Sequence, residues 1–207
     1  MPAYSAERHK WEMEIQTRYA LDIYKRVWSG CEIVEVDKEA FKSDFAKDRD
    51  FSGLDKIIKI GRNEIHLSQR FRKPRKDKYG YYLNVDFSFR YKTPGIDGKP
   101  REAEYFCFMD AYKHKEEGYW LPSKYAFGIT KGKNTDCGGF TEFYIFDLLP
   151  LLEAIDDGRV VEIGVYPNYD LTGTPDGSSA IYYRIEDIKR FTFWELPKGQ
   201  VKLTSFF

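Results

Sequence analysis

Apolar side chains recur at helical spacing in the first stretch of the chain, residues 6–28. Met13, Ile23 and their apolar neighbours fall on one face, and no glycine or proline interrupts the run before Gly30. The pattern predicts a long first helix that ends at Gly30, because glycine readily adopts the backbone conformation that ends a helix. Glu12 departs from the pattern, since it falls on the apolar side of this predicted helix.

Patterns typical of strands follow this helix. Residues 31–36 predict a short strand, and residues 37–47 a short second helix. Residues 55–60 and 64–72 predict a β-hairpin, because a glycine-containing turn at residues 61–63 separates two runs of strand character.

The second half of the chain alternates between predicted strands, loops and helices. Strands are predicted at residues 81–91, 103–112, 124–130, 140–146, 160–166 and 180–185, and the second of these also fits a helix. Loops are predicted at residues 132–139 and 171–179, and helices at residues 147–157 and 186–191. This order predicts an α/β (α+β) fold in which helices flank a mixed central β-sheet, built as a single domain over residues 1–207.

Composition and charge argue against several classes of protein. The 207 residues carry 33 basic and 33 acidic side chains, so attraction to nucleic acid would have to come from a local patch. The three cysteines never form a CxxC pair, which argues against a zinc site and favours a reducing, intracellular and cytoplasmic location. No apolar run is long enough to span a membrane, and the start of the chain does not resemble a secretory signal. The scarcity of amides, three Gln and four Asn, favours a thermophilic source.

The strongest chemical signal lies in residues 48–72. Asp55 opens one strand of the predicted hairpin, and the returning strand ends in the polar triplet Ser68, Gln69 and Arg70. Hydrolysis of a phosphodiester requires carboxylates that hold a divalent metal and a nearby polar or cationic group that orients water. Two neighbouring strands can present such groups on one rigid surface.

This arrangement of a long helix, an acidic strand start, a hairpin and a polar triplet resembles the PD-(D/E)XK nuclease superfamily. That superfamily includes archaeal Holliday-junction resolvases, RecB-type nucleases and restriction endonucleases. The resemblance is carried by residues 6–72, with a core motif that extends to residue 91, and it implies a restriction-endonuclease-like core. It further implies a metal-dependent DNA endonuclease or exonuclease that uses Mg²⁺ or Mn²⁺, acts on branched or single-stranded DNA and forms a homodimer, in an archaeal or viral setting.

The resemblance also implies roles for individual residues. Asp55 corresponds to the metal-binding Asp of the second core strand, and Gln69 to the acid of the third strand. Glu12 corresponds to the helical carboxylate that often joins the metal site, with Glu14 as the substitute if the helix is rotated. Arg70 would face the scissile phosphate.

The position of the third-strand motif stays open between two readings of the triplet: either Gln69 stands for the acid, or Arg70 takes the lysine's place and Ser68 stands where the acid is expected. Neighbouring strand residues point in opposite directions, so Gln69 and Arg70 cannot both face the site unless a bulge intervenes. Glu64 with His66 is a further acid-X-His option near the turn. No lysine completes the pattern in any register, and Arg is too weak an acid to replace it as a proton shuttle.

Basic and aromatic side chains crowd the segment after the hairpin. The predicted nucleic-acid contacts are Arg70, Arg72, Lys73, Arg75, Lys76 and Lys78. Such cations can neutralise phosphates, and the aromatic rings among them can stack on unpaired bases. Lys131 and Lys133 offer a second contact in the glycine-rich loop, and Asp48, Asp50 and Asp86 are alternative carboxylates.

Two other functional classes compete with the nuclease hypothesis. The missing lysine favours a catalytically inactive nucleic-acid-binding protein on the same fold. A tyrosine-rich chain of this size also fits a protein-interaction module.

Overall fold

The computed structural model describes residues 10–35, 55–74, 86–94, 100–119, 121–169 and 175–197. Several predictions lie outside these residues: the helix at residues 37–47, and the candidate residues Asp48, Asp50, Arg75, Lys76 and Lys78.

The predicted first helix is present, and we name it α1. Its described part begins with α-helical residues 10–15, continues as a π-helical turn over Gln16–Ala20 and ends as the α-helix Leu21–Val27. The backbone N–H of Trp28 still donates to the Tyr24 carbonyl, and Gly30 follows at a φ of 73°. Glycine is suited to this position because other residues rarely adopt a positive φ.

The central sheet has six strands in the order β1-β2-β3-β6-β7-β10. Its strands are β1 (Glu32–Glu35), β2 (Lys56–Ile60), β3 (Asn63–Arg72), β6 (Lys124–Thr130), β7 (Phe140–Asp147) and β10 (Thr192–Glu195). Strands β1, β2 and β3 pair antiparallel, whereas β3 and β6 are parallel. A parallel pair needs a long crossover connection, and residues 73–123 provide it.

A second, four-stranded sheet has the order β5-β4-β9-β8. Its strands are β4 (Phe87–Pro94), β5 (Pro100–Glu102), β8 (Glu162–Tyr169) and β9 (Pro175–Tyr183). The helices beyond α1 are α2 (Glu104–Lys113), α3 (Leu148–Asp156) and α4 (Ile185–Ile188), with 3₁₀ turns at Lys115–Glu117 and Lys189–Phe191. Mixed α+β architecture is therefore confirmed.

Apolar cores lie on both faces of the central sheet. The core between the sheet and α1 includes Trp11, Ile15, Ile23, Tyr24, Ile58, Leu67, Phe71 and Phe143. The core on the opposite face, toward the second sheet and helices α2 and α3, includes Phe87, Phe89, Phe108, Tyr125, Phe127, Phe146 and Leu151. Because side chains alternate along a strand, β3 sends every second residue to each face.

Two predicted elements differ from the structure. Residues 103–112 form α2 rather than a strand, because their buried positions Glu104, Phe108 and Ala111 recur at helical spacing. The predicted loop at residues 171–179 instead contains the start of β9, which pairs antiparallel with β8. Within the described residues, no helix is long and apolar enough to cross a membrane.

Candidate functional site

Gln69 on β3 lies at the centre of a polar network beneath α1. Its side-chain oxygen accepts a 2.9 Å hydrogen bond from the Tyr24 hydroxyl, and its amide nitrogen donates to the side-chain oxygen of Gln16. Gln16 and Tyr24 are both buried on α1, whereas Gln69 is half-buried. Contacts from two parts of the helix therefore fix the orientation of this amide.

Asp55 joins the network from the start of β2. One of its carboxylate oxygens accepts a 2.8 Å hydrogen bond from the backbone N–H of Gln69, and its own N–H donates to the Leu67 carbonyl. Burial raises the pKa of Tyr24 well above its usual value, and the charge of Asp55 raises it further. The Tyr24 hydroxyl thus keeps its proton and serves as a donor to Gln69.

The network continues from Gln16 to an ion pair at the sheet edge. The Gln16 amide donates to a Glu35 carboxylate oxygen at 3.2 Å, and Lys56 Nζ lies 2.6 Å from the same oxygen. The side chain of Lys56 is 3% exposed, whereas that of Glu35 is 63% exposed. The hydrogen bond and charge of Lys56 lower the pKa of Glu35, and the bond from Gln16 also contributes. Through Glu35 the network reaches solvent.

The π-helical turn in α1 begins at Gln16. In this turn the N–H of Leu21 donates to the Gln16 carbonyl, one residue farther along than an α-helix requires. The turn therefore separates the part of α1 that carries Gln16 from the part that carries Tyr24. Single π-helical turns inside α-helices occur frequently at functional sites.

Arg70 points to the opposite face of β3. Its guanidinium nitrogen Nη1 lies 3.5 Å from Glu104 Oε2, and the two side chains are only 2% and 8% exposed. Glu104 also accepts hydrogen bonds from the Tyr125 hydroxyl at 3.2 Å, the Ser68 hydroxyl at 3.4 Å and the Arg90 N–H at 2.9 Å. Arg70 therefore belongs to a closed ionic cluster between the two sheets.

The prediction that Arg70 acts beside Gln69 is wrong in this geometry. The pairing of β3 with β6 runs without a register shift from Leu67 to Arg72, so no bulge brings the two side chains to one face. Arg72 lies on the Arg70 side as well. It donates to the Tyr182 hydroxyl at 3.0 Å and to the Ser88 hydroxyl, which directs it to the second sheet rather than to a nucleic acid.

The other candidate acids occupy separate places. Glu12 is half-buried on α1, one turn before Gln16, and it is Gln16 that reaches Gln69. Glu64 is exposed beside the hairpin turn, 3.7 Å from His66 Nε2, at the far end of β2 from Asp55. Asp86 precedes β4, where burial and then the charge of Glu186 raise its pKa.

The groups near Gln69 include one carboxylate that could hold a metal. Mg²⁺ is commonly held by one or two carboxylates together with substrate phosphates and water. Asp55 provides a carboxylate, and the side-chain oxygens of Gln69 and Gln16 already accept hydrogen bonds from Tyr24 and from Gln69. Across the described ranges, no group of three or more His, Cys, Asp or Glu side chains is placed to hold a metal ion. A metal here would therefore need further ligands from a bound phosphate and water.

Comparisons with known proteins add no relative. No model of a protein family matches the chain, and no match was found among curated proteins or solved structures.

Sequence reasoning missed four members of the network: Gln16, Tyr24, Glu35 and Lys56. Two signals pointed to them. Gln16 and Gln69 are two of only three glutamines in the chain, and they contact each other. Lys56 falls on the same strand face as Ile58, so strand alternation alone places this lysine on an apolar surface.

Proposed function

We propose that this chain is a metal-dependent nuclease of the PD-(D/E)XK type that acts on DNA. The observation that carries the proposal is the contact between Asp55, at the start of β2, and Gln69, on β3 beneath α1. The surrounding order of elements supports it. A long helix, three antiparallel strands, a crossover that contains α2 together with β4 and β5, and a strand parallel to β3 are compatible with a restriction-endonuclease-like core.

Each residue of the network has a role in this proposal. A Mg²⁺ or Mn²⁺ ion held here would supply polarisation of the phosphate and a more acidic coordinated water. Asp55 would hold this ion, and Gln69 would orient a water through its amide. Tyr24 and Gln16 keep that amide in one orientation, since they occupy both its oxygen and its nitrogen.

Positive charge on this face comes from β2. Phe71 occupies the position two residues after Gln69, where the resemblance expects a lysine, and it is buried in the core. Lys56 lies on the same face as Gln69 and is linked to it through Glu35 and Gln16. Because Lys56 is already paired with Glu35, its role in the proposed mechanism is to hold the Glu35–Gln16 end of the network in place.

The substrate and assembly follow from the same resemblance. We expect activity on branched or single-stranded DNA, a homodimer that presents two sites to two strands, and a cytoplasmic location.

A second candidate function is nucleic-acid binding without catalysis. The site is poor in charged groups, because Gln16 and Gln69 carry amides and Phe71 carries an aromatic ring. Asp55 is the carboxylate that contacts Gln69. Such a site would bind the same DNA and fail to cleave it.

Cleavage assays on plasmid, single-stranded and four-way-junction DNA, with Mg²⁺ or Mn²⁺, separate the two candidates. We expect Asp55→Asn to lower the cleavage rate more than about 100-fold and Gln69→Ala to lower it about 10–100-fold. Asp86→Asn is the matched control, because Asp86 is another half-buried acid next to a strand, and it should retain activity. Full activity in Asp55→Asn would eliminate Asp55 as the catalytic site, and absence of cleavage by the native chain would overturn the nuclease proposal. DNA binding without cleavage in either metal would favour the second candidate.

A further inference from the structure

Three lysines lie just after the ends of two neighbouring strands of the central sheet, β3 and β6. Strands β3 and β6 are parallel, and Arg72 near the end of one pairs with Ile129 near the end of the other. The Thr130 hydroxyl lies 3.3 Å from the Arg72 carbonyl, so the two strand ends are neighbours. Lys73 follows β3 directly, and Lys131 and Lys133 follow β6. Ligands commonly bind outside the carboxyl ends of parallel strands.

The loop after β6, residues 131–139, has a defined backbone. The Lys131 N–H donates to the Gly139 carbonyl at 3.0 Å, and Lys131 Nζ donates to the Gly138 carbonyl at 3.1 Å. The Thr130 hydroxyl also lies 2.7 Å from the Gly132 carbonyl. Gly138 and Gly139 have φ values of 75° and 104°, which glycine tolerates without strain. The loop therefore has a defined backbone, and the Gly138 carbonyl fixes the position of the Lys131 ammonium.

Helix α1 connects this loop to the candidate site. The Trp11 indole N–H donates to the Lys133 carbonyl at 3.0 Å, and the Tyr19 hydroxyl accepts from the Gly138 N–H at 3.2 Å. Lys73 Nζ lies 4.9 Å from the centre of the Trp11 ring. Gln16, which contacts Gln69, follows Trp11 by five residues, or about 7–8 Å along a helix axis. That rise corresponds to roughly two nucleotides of one strand.

Three lysines and three acids lie at this edge, and two of the lysines are exposed whereas two of the acids are half-buried. Lys73 and Lys133 are exposed and Lys131 is half-exposed, while Asp136 is the acid within the loop. Glu12 and Glu14 are the acids on the neighbouring part of α1, and both are half-buried. We name Lys73 and the loop 131–139 the lysine edge.

We infer that the lysine edge binds the phosphate backbone of DNA and leads one strand toward Asp55 and Gln69. The choice of DNA as the partner rests on the proposed function. The lysines act as point charges on phosphates and carry no base preference, so binding here is independent of sequence. The edge also replaces Arg70 and Arg72, which the second sheet engages, as the source of phosphate contacts.

The test measures DNA binding without metal, so that cleavage is not needed. Fluorescence anisotropy with a labelled single strand, in EDTA and at several salt concentrations, compares the native chain with Lys73→Ala/Lys131→Ala/Lys133→Ala. Each lost phosphate contact on a single strand should reduce the slope of log K against log salt by about 0.7, so three losses reduce it by about 2. Lys113→Ala/Lys115→Ala/Lys189→Ala is the matched control, because it removes the same charge from other surfaces.

The expected result is weaker, less salt-dependent binding for the first variant and native binding for the control. Lys73→Arg/Lys131→Arg/Lys133→Arg should restore affinity, which excludes a loss of folding as the cause. Equally weakened DNA binding in both alanine variants, or unchanged binding in the first, would contradict the inference that the lysine edge binds DNA.

The outcome is separable from that of the nuclease proposal. Binding that depends on the edge, without cleavage in Mg²⁺ or Mn²⁺, supports the edge and rejects the nuclease. Cleavage with edge-independent binding rejects the edge and leaves the nuclease. A native chain that does not bind DNA rejects both.

Discussion

The two faces of strand β3 carry polar groups of opposite kinds. Arg70 faces the second sheet, where its charge meets Glu104 and both side chains are almost fully buried. Gln69 faces α1, where neutral amides and a hydroxyl surround it and Glu35 connects the network to water. One residue along the strand separates a closed ion pair from a network open to solvent.

This difference indicates which polar cluster maintains structure and which is available for chemistry. A buried ion pair already has its partners, and exchanging them for a substrate would leave a charge uncompensated. Neutral amides beside a half-buried carboxylate can bind a metal or a phosphate without leaving a buried charge uncompensated. The Gln69 face is therefore the better candidate for function, and substitutions on each face should behave differently.

Arg70→Ala should have the largest effect on stability. It would leave Glu104 buried without its cation, and we expect the free energy of unfolding to fall by about 3–5 kcal/mol. Urea denaturation followed by circular dichroism measures the change. Lys113→Ala, which removes an exposed ion pair with Asp156, is the control and should cost less than about 1 kcal/mol. A similarly small loss in both variants would contradict the closed ion pair.

Gln69→Leu should have an intermediate effect. The substitution leaves the Tyr24 hydroxyl and the Gln16 amide without their partner, and we expect a loss of about 1–3 kcal/mol. The same denaturation experiment applies. Adding Tyr24→Phe to Gln69→Leu should recover part of the loss, since it removes an unsatisfied hydroxyl. A double variant that loses the full sum of both single changes would show that the two side chains do not interact.

The Glu35–Lys56 pair should respond asymmetrically. Removing the exposed partner with Glu35→Ala leaves the Lys56 ammonium buried, and we expect a loss of about 1–2 kcal/mol. Lys56→Met keeps the apolar stem and leaves Glu35 in water, so it should cost less than about 1 kcal/mol. Because the pKa of Glu35 is lowered in the folded chain, its contribution is present above its usual pKa and disappears as the pH falls through the lowered value. Equal losses in both variants would contradict this asymmetry.

Tyr24→Phe should change the alkaline stability of the α1 face. The pKa of Tyr24 is raised in the folded chain, so its contribution is complete below its usual pKa near 10 and declines at higher pH. Above that pH the native chain should lose about 1.4 kcal/mol per pH unit more than Tyr24→Phe. Unfolding curves between pH 9 and 11 measure this slope, with Tyr166→Phe as a control for loss of a hydroxyl. Parallel slopes in the native chain and Tyr24→Phe would contradict the raised pKa.

The hairpin could be predicted from the sequence because its determinants are local. Gly61 has a φ of 59° at the turn, and the strands on either side pair in the register that brings Asp55 to Gln69. The sequence also indicated that Gln69 and Arg70 cannot both contribute to one site, because neighbouring residues of a strand point to opposite faces. It could not show which of them faces α1, because that depends on packing against elements distant in the chain.

The remainder of the network depends on contacts that no local pattern encodes. Gln16 reaches Glu35 because β1 pairs with β2 below α1, and Lys56 is buried by the same arrangement. The ambiguity of residues 103–112 has a similar origin. Their aromatic residues are common in strands, but burial of Glu104 against Arg70 and of Phe108 in the core selects the helix.

The π-helical turn gives α1 one more residue than a regular helix would need to connect its two halves. Deleting a single amino acid between Gln16 and Ala20 would let the helix become continuous and α-helical, and both halves would keep their present faces, because the π-helical turn takes up the extra residue. A shortened helix of this kind would show whether the wider turn itself, rather than any charge on the protein, holds Gln16 against Gln69.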